Sequence, residues 1–228
     1  FHNCFSAART GSSRCPRGGV AVYLANTLPP STVWKQRKQD GVLWIRVSLE
    51  GVMLFIAVCY LPPKNSGGYP FEKVEWWFQE LAAEITEARQ QGMVIVAGDF
   101  NARVADDPDF PEQFRMDRSW NTLDLEEDLD ASRSTRRSCD QHVNEQGKRL
   151  LELCQETGLR IANGRTCGDE VAAATSVGKD GKGKSVVDLF LCCPKAMLLV
   201  SKLLVSQKMA PNMDHNSVFM DLNLAFID

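Results

Sequence analysis

The sequence is short of several features that would narrow its class at once. It has no Cys-x-x-Cys pair, the commonest spacing of a structural zinc site, and no Asn-x-Ser/Thr sequon of a glycosylated secretory protein. It has no apolar run long enough to span a bilayer and no signal or transit segment, so no membrane partner is expected. It has no excess of positive charge either: the formal net charge is -3. That excludes a strongly basic nucleic-acid binder, but not a nucleic-acid substrate. Carboxylate-rich metal sites lower the net charge, and local basic patches still bind phosphates. What is present is ordinary for a globular protein: 228 residues, 44% hydrophobic and 24% charged. The length fits one large domain spanning 1–228, and no linker composition interrupts it.

Eight cysteines could pair as disulfides. Yet Cys59, Cys154, Cys192 and Cys193 sit inside apolar strand or helix patterns, where a free thiol acts as a small hydrophobe. The pattern predicts a reducing, intracellular compartment. The chain opens at Phe1 in mid-pattern, which reads as a piece of a longer open reading frame.

Along the chain, apolar runs and turn residues alternate. Gly18-Gly19 leads into a strand over 20–24. Residues 42–49 alternate, with Leu43, Ile45, Val47 and Leu49 on one face, and a Glu50-Gly51 turn predicts an antiparallel hairpin with 52–60. Val74, Trp77, Phe78, Leu81, Ile85 and Ala88 have helical spacing, predicting a helix over 71–91 with Gly92 as its C′ residue. Acidic and basic clusters in 104–143 read as a solvated insertion. Asn144 is placed to cap a helix over 145–157 that ends at Gly158. Short strands are predicted over 159–162, 185–191 and 218–226. Strands outnumber helices, so a mixed-sheet sandwich covered by helices is expected.

Chemistry gathers at strand ends. The buried-strand signal of 93–97 runs into Gly98-Asp99-Phe100-Asn101, and strand alternation would put Asp99 and Asn101 on one face. A carboxylate beside a carboxamide offers a base and a neutral donor, a pairing suited to a phosphate and its attacking water. Tyr60 ends an earlier strand, Asp188 lies among apolar residues in Ser185 to Leu191, and Asp214-His215 leads into the last strand. Singly, each has a plainer reading. Gly-Asp after a strand is common turn chemistry, a strand Tyr is commonly a half-buried aromatic, and an isolated His is commonly structural.

Taken in order, the motifs resemble the endonuclease/exonuclease/phosphatase superfamily, which includes DNase I and the abasic-site endonucleases. Within it, a finer string is similar to the endonuclease domains of non-LTR retrotransposons. It consists of Arg17-Gly18-Gly19-Val20, Arg137-Ser138-x-Asp140, Asn144-x-x-Gly147, Asn163-Gly164-Arg165-x-x-Gly168-Asp169, Thr175 and Gly183-Lys184-Ser185-Val186-Val187-Asp188. The resemblance implies an α/β (α+β), DNase I-like fold: a four-layered sandwich of two mixed β-sheets flanked by helices. It implies metal-assisted hydrolysis of a phosphodiester by in-line attack of water. Asp99 would position or deprotonate the water, and Asn101 would bond a phosphate oxygen or orient Asp99. His215 would stabilise the transition state, with Asp188 fixing its ring and favouring its charged form. Asp214 would help bind Mg²⁺ or Mn²⁺, and Tyr60 would meet the phosphate edge.

Met213 stands where the family has Ser before Asp-His, a position that shapes the turn. The family's metal-binding Glu precedes the Gly-Gly-Val strand, so the resemblance implies a domain truncated at its N-terminus, without its first strand or strands and helix. The implied partners are a DNA substrate and, in the parent protein, a downstream reverse-transcriptase region; such an enzyme would act in the nucleus. Two other readings stand beside the nuclease: an inactive remnant or binding module of the same fold, and a phosphatase of the superfamily. Residues 35–38, 133–137 and 179–184 are basic enough to touch DNA, though solvated loops have the same composition.

Overall fold

The computed structural model describes residues 2–8, 19–28, 31–37, 41–49, 51–64, 71–110, 135–178, 183–206 and 213–226. The chain divides into two compact units, 1–100 with 227, and 101–226 with 228. Each is built by different means.

In the first unit, β1 (His2–Ala8) and β2 (Gly19–Ala25) form an antiparallel ribbon. Strands β3 (Ser31–Arg37), β4 (Val42–Leu49) and β5 (Val52–Tyr60) form an antiparallel run. As the hairpin signal predicted, Leu49 pairs with Val52 across the Gly51 turn, where φ is 92°. Helix α1 (Phe71–Arg89) then crosses over to β6 (Met93–Asp99), which pairs in parallel with β5. All six residues of the predicted helical stripe are buried, from Val74 to Ala88. Each large one contributes about 1.5–3 kcal/mol by leaving water. Trp44 is also fully buried, on the face of β4 that carries exposed Arg46 and Ser48, because Trp34 packs edge-on against it at 5.4 Å.

The second unit begins at Asn101. Helix α2 (Glu145–Thr157) carries the caps its sequence announced: Asn144 accepts from Gly147 N, and Gly158 is left-handed at φ 72°. It is followed by β7 (Arg160–Ile161), β8 (Ser176–Val177), β9 (Lys184–Ser185) and β10 (Asp188–Cys192). Here β10 pairs antiparallel with β7, and β8 with β9. A short helix α3 (Pro194–Leu199) leads into the antiparallel pair β11 (Val200–Val205) and β12 (Val218–Leu222), and a 3₁₀ turn spans Leu224–Phe226.

Several expectations need correction. Gly92 is not a left-handed C′ residue; its small size is used instead, since a Cβ there would lie 2.1 Å from Met53 O. The predicted strand over 185–191 is broken at Val186-Val187, where Val186 N donates to Asp140 and Val187 N to buried Thr175, so Asp188 opens β10 rather than lying within a strand. The last strand ends at Leu222. The solvated reading of 104–143 fails at its flanks. Asp109 is fully buried, accepting from Arg165 Nη2 at 2.8 Å and Ile161 N at 2.7 Å. Arg136 is buried too, donating to the carbonyls of Val104 and Asp107. Residues 111–134, with most of the acidic run and Arg133, lie outside the described residues, as does most of the basic loop 179–184. Strands β1, β3, β8 and β11 and helix α3 fall in residues assigned to no element from sequence. The four thiols expected in the core are all buried, and no described cysteine is in a disulfide.

Candidate active site

The first unit presents one polar strand tip. Tyr60 and Asp99 are register partners at the ends of the parallel strands β5 and β6, both half-buried. Their placement is a backbone matter. Leu61 N donates to Asp99 O at 2.8 Å, and Tyr60 N donates to Gly41 O at 2.8 Å. Gly98 lies at φ 151°, and a Cβ there would sit 1.9 Å from Cys59 O. Only glycine lets β6 run this close to β5 immediately before the carboxylate.

Asn101 departs from expectation. The strand stops at Asp99, and Asn101 has φ 48°, a left-handed conformation that ends the period-two alternation. Asp99 and Asn101 therefore do not share a face by strand geometry. Asparagine tolerates this region better than other side chains do.

In the second unit the sequence-predicted Asp188 and His215 come together, with Asp188 Oδ2 2.8 Å from His215 Nδ1 and both side chains half-buried. A carboxylate on Nδ1 fixes the orientation of the imidazole ring. Buried Thr175 holds both partners. Its Oγ1 accepts from Val187 N and Asp188 N, each at 3.0 Å, while its carbonyl accepts from Asn216 N at 2.7 Å. Ser176 bridges to His215, and Val177 N donates to Asp214 O at 2.8 Å. Asp214 is exposed, so its carboxylate sits at the surface beside the His215 backbone. Asn163, fully buried, latches β10 by accepting from Phe190 N at 2.9 Å.

Behind these residues lies a network that sequence reasoning did not single out as functional. Asp140 accepts from Arg103 Nε at 2.8 Å and Nη2 at 2.6 Å, from His142 N at 3.1 Å and from Val186 N at 3.2 Å. Burial pushes its carboxyl up, but the Arg103 fork and the two backbone donors outweigh it and hold the group below the ordinary carboxylate range. The only sequence signal was its place in Arg137-Ser138-x-Asp140.

The family is settled by comparison over the length of the chain: the model described as the Endonuclease/Exonuclease/phosphatase family matches residues 1–208. The chain belongs to that family. Members of the endonuclease/exonuclease/phosphatase family are hydrolases acting on phosphodiester bonds and generally depend on divalent metals. No curated protein matches the chain. Among solved structures, it is similar to the endonuclease domain of TRAS1, a telomere-specific non-LTR retrotransposon. That likeness has 16% identity and a TM-score of 0.61, over 98% of this chain and 79% of that one. It is also similar to an AP endonuclease from Archaeoglobus fulgidus (15%, TM-score 0.60, 97% and 79%). A third is the 3′ phosphatase NExo from Neisseria bound to product DNA hairpin (17%, TM-score 0.56, 97% and 79%). At these identities the likeness shows the α/β, DNase I-like fold of the family. Within the second unit, Asp188 and Asp214 offer carboxylate oxygens, the donor type that suits a hard cation.

Proposed function

We propose that this chain is the DNA-nicking endonuclease domain of a retrotransposon-type protein, hydrolysing one phosphodiester bond with the help of Mg²⁺ or Mn²⁺. The observation that carries the reading is the Asp188–His215 pair, oriented at 2.8 Å and mounted on Thr175 in a chain of this family. Asp99 accepts the proton of the attacking water. Asn101 donates to a non-bridging phosphate oxygen, and Tyr60 meets the phosphate edge. His215 presents Nε2 to the phosphoryl oxygens as charge builds, while Asp188 holds the ring and balances an imidazolium. Asp214 would hold the cation, with oxygen ligation suited to Mg²⁺, and the bound ion would supply charge neutralisation at the phosphate. On this reading the enzyme would act on DNA in the nucleus, and a reverse-transcriptase region would follow in the parent protein.

The test is plasmid relaxation. The chain with Mg²⁺ is expected to convert supercoiled plasmid to nicked circles, and EDTA is expected to stop it. Asp99→Asn and His215→Ala are each expected to lower the rate by about 10²–10⁴-fold, as loss of a proton-transfer or charge-stabilising group does. Release of inorganic phosphate from 3′-phosphate ends without nicking would move the assignment to a phosphatase. A folded chain inactive on both substrates would make it a remnant of the fold.

A further inference from the structure

The Asn144-x-x-Gly147 motif has a structural job in α2, but its contacts reach beyond the helix. Asn144 Oδ1 accepts from Gly147 N at 2.7 Å, the helix cap, and from Arg103 N at 3.0 Å. Its Nδ2 donates to Asn101 O at 2.8 Å. Its backbone N donates to Arg103 O at 3.1 Å, and Val104 and Val143 form an antiparallel bridge just beyond. One carboxamide thus binds the helix N-terminus on one side and both ends of Asn101–Arg103 on the other.

Gly147 makes this approach possible. A Cβ there would lie 1.8 Å from Arg103 O, so any other residue would drive the helix off the segment. The segment it grips is strained: Asn101 sits at φ 48°, a conformation that persists where surrounding contacts impose it. The grip extends further. Arg103 forks onto Asp140, and Asp140 accepts from Val186 N, two residues before Asp188.

We propose that Asn144 is a positioning residue for Asn101, its side-chain amide clamping the left-handed strand exit that aims the Asn101 side chain. The proposal rests on the reading above, in which Asn101 bonds the phosphate. A cap alone needs only an acceptor, which Asp supplies as well as Asn. A clamp needs the amide donor as well. Asn144→Asp keeps the acceptor for Gly147 N and Arg103 N, and sets a second acceptor against the Asn101 carbonyl.

The deciding experiment pairs that variant with two readouts. By NMR, the wild-type chain is expected to show the strong intraresidue Hα–HN contact of a left-handed Asn101, and Asn144→Asp to lose it with little change in thermal midpoint. In plasmid nicking, kcat is expected to fall by on the order of 10²-fold, the effect of misplacing a reacting group by about an ångström, with KM nearly unchanged. Asn144→Ala, which loses cap and clamp together, is expected to lower the thermal midpoint as well. If Asn144→Asp retains both the Asn101 signature and kcat, Asn144 is a helix cap and the proposal is overturned. Should that variant not fold, Asn144→Ser keeps a cap acceptor without the amide and carries the same comparison. Asn101→Ala separates the two readings. If it leaves nicking unchanged, the phosphate role of Asn101 fails, while the NMR contact still decides the clamp.

Discussion

The two units hold their polar residues by opposite means. In the first, Tyr60 and Asp99 are carried on the ends of buried strands, and the close approach of β6 to β5 at Gly98 sets their register. In the second, Asn101, Asp188 and His215 sit at the ends of short elements or outside them, in segments held by side chains bonding to backbone: Asn144, Asp140, Thr175 and Asn163. The contrast shows in two carboxylate–arginine pairs. Glu84 in the first unit accepts from Trp44 Nε1 at 2.9 Å and has Arg37 Nε at 3.2 Å, and burial wins, pushing its carboxyl up. Arg37 itself rests over the Trp76 and Trp77 rings. Asp140, with four donors, goes the other way. At Glu84 the sheet makes the structure and the ion pair is a passenger; at Asp140 the ion pair is joined by the backbone donors of His142 and Val186.

Three changes would break or sharpen that contrast. The largest effect is expected for Gly98→Ala, whose methyl would meet the Cys59 carbonyl at 1.9 Å in a left-handed conformation. Strain and overpacking together should cost on the order of 3–5 kcal/mol in urea denaturation. A loss below about 1 kcal/mol would mean that the sheet gives way and does not set the tip. Next comes Asp140→Ala, which leaves the Arg103 fork and two backbone donors without their acceptor. About 3 kcal/mol of stability should go, and nicking should fall with it. Full activity in a destabilised but folded variant would separate the network from the site.

The smallest effect is in pH dependence, and its sign differs between the two acids. Asp140 is held below its unfolded value near about 3.9, so its contribution is complete above that pH and is lost as pH falls through the folded value. Glu84 is raised above about 4.3, so the folded state binds more protons and stability declines as pH rises from there to the folded value. Asp140→Asn should therefore flatten the acid limb of a midpoint-against-pH curve. Glu84→Gln should gain on wild type as pH rises above about 4. Parallel curves for both variants would show that the two sites do not differ in kind.

The same contrast explains what could be read beforehand. In the first unit β2, β4, β5, α1 and β6 were legible because burial imposes periods of two and 3.6 on apolar side chains, as in β4, β5 and α1, whereas β3, with Val33 and Trp34 its only apolar residues, was not. β1 was not, since His2-Asn3-Cys4-Phe5-Ser6 has no such period. In the second unit the Asn144 and Gly158 caps are local chemistry, and so they were legible. The left-handed turn at Asn101, the burial of Asp109 and Arg136, and the break before Asp188 are set by partners 43, 52, 32 and 13 positions away along the chain. No local pattern encodes those partners. The Asp188–His215 pair was readable because both residues belong to ordered family motifs; the acceptors behind it were visible only as letters in them.

The fastening of the segments that end at Phe110 and resume at Thr135 has a consequence for how this chain can change. Before the first, Val104 bridges to Val143 and Asp109 is locked to Arg165; after the second, Arg136 donates to Asp107 O and Ser138 N to Asp106 Oδ1. Both ends of the intervening stretch are thus fastened to the same small cluster. The closure entropy of a chain segment between fixed ends grows slowly with its length, each doubling costing only about 0.6 kcal/mol. The cluster works as a socket into which sequences of very different length could be fitted by insertion or deletion while the dyad beyond it keeps its place.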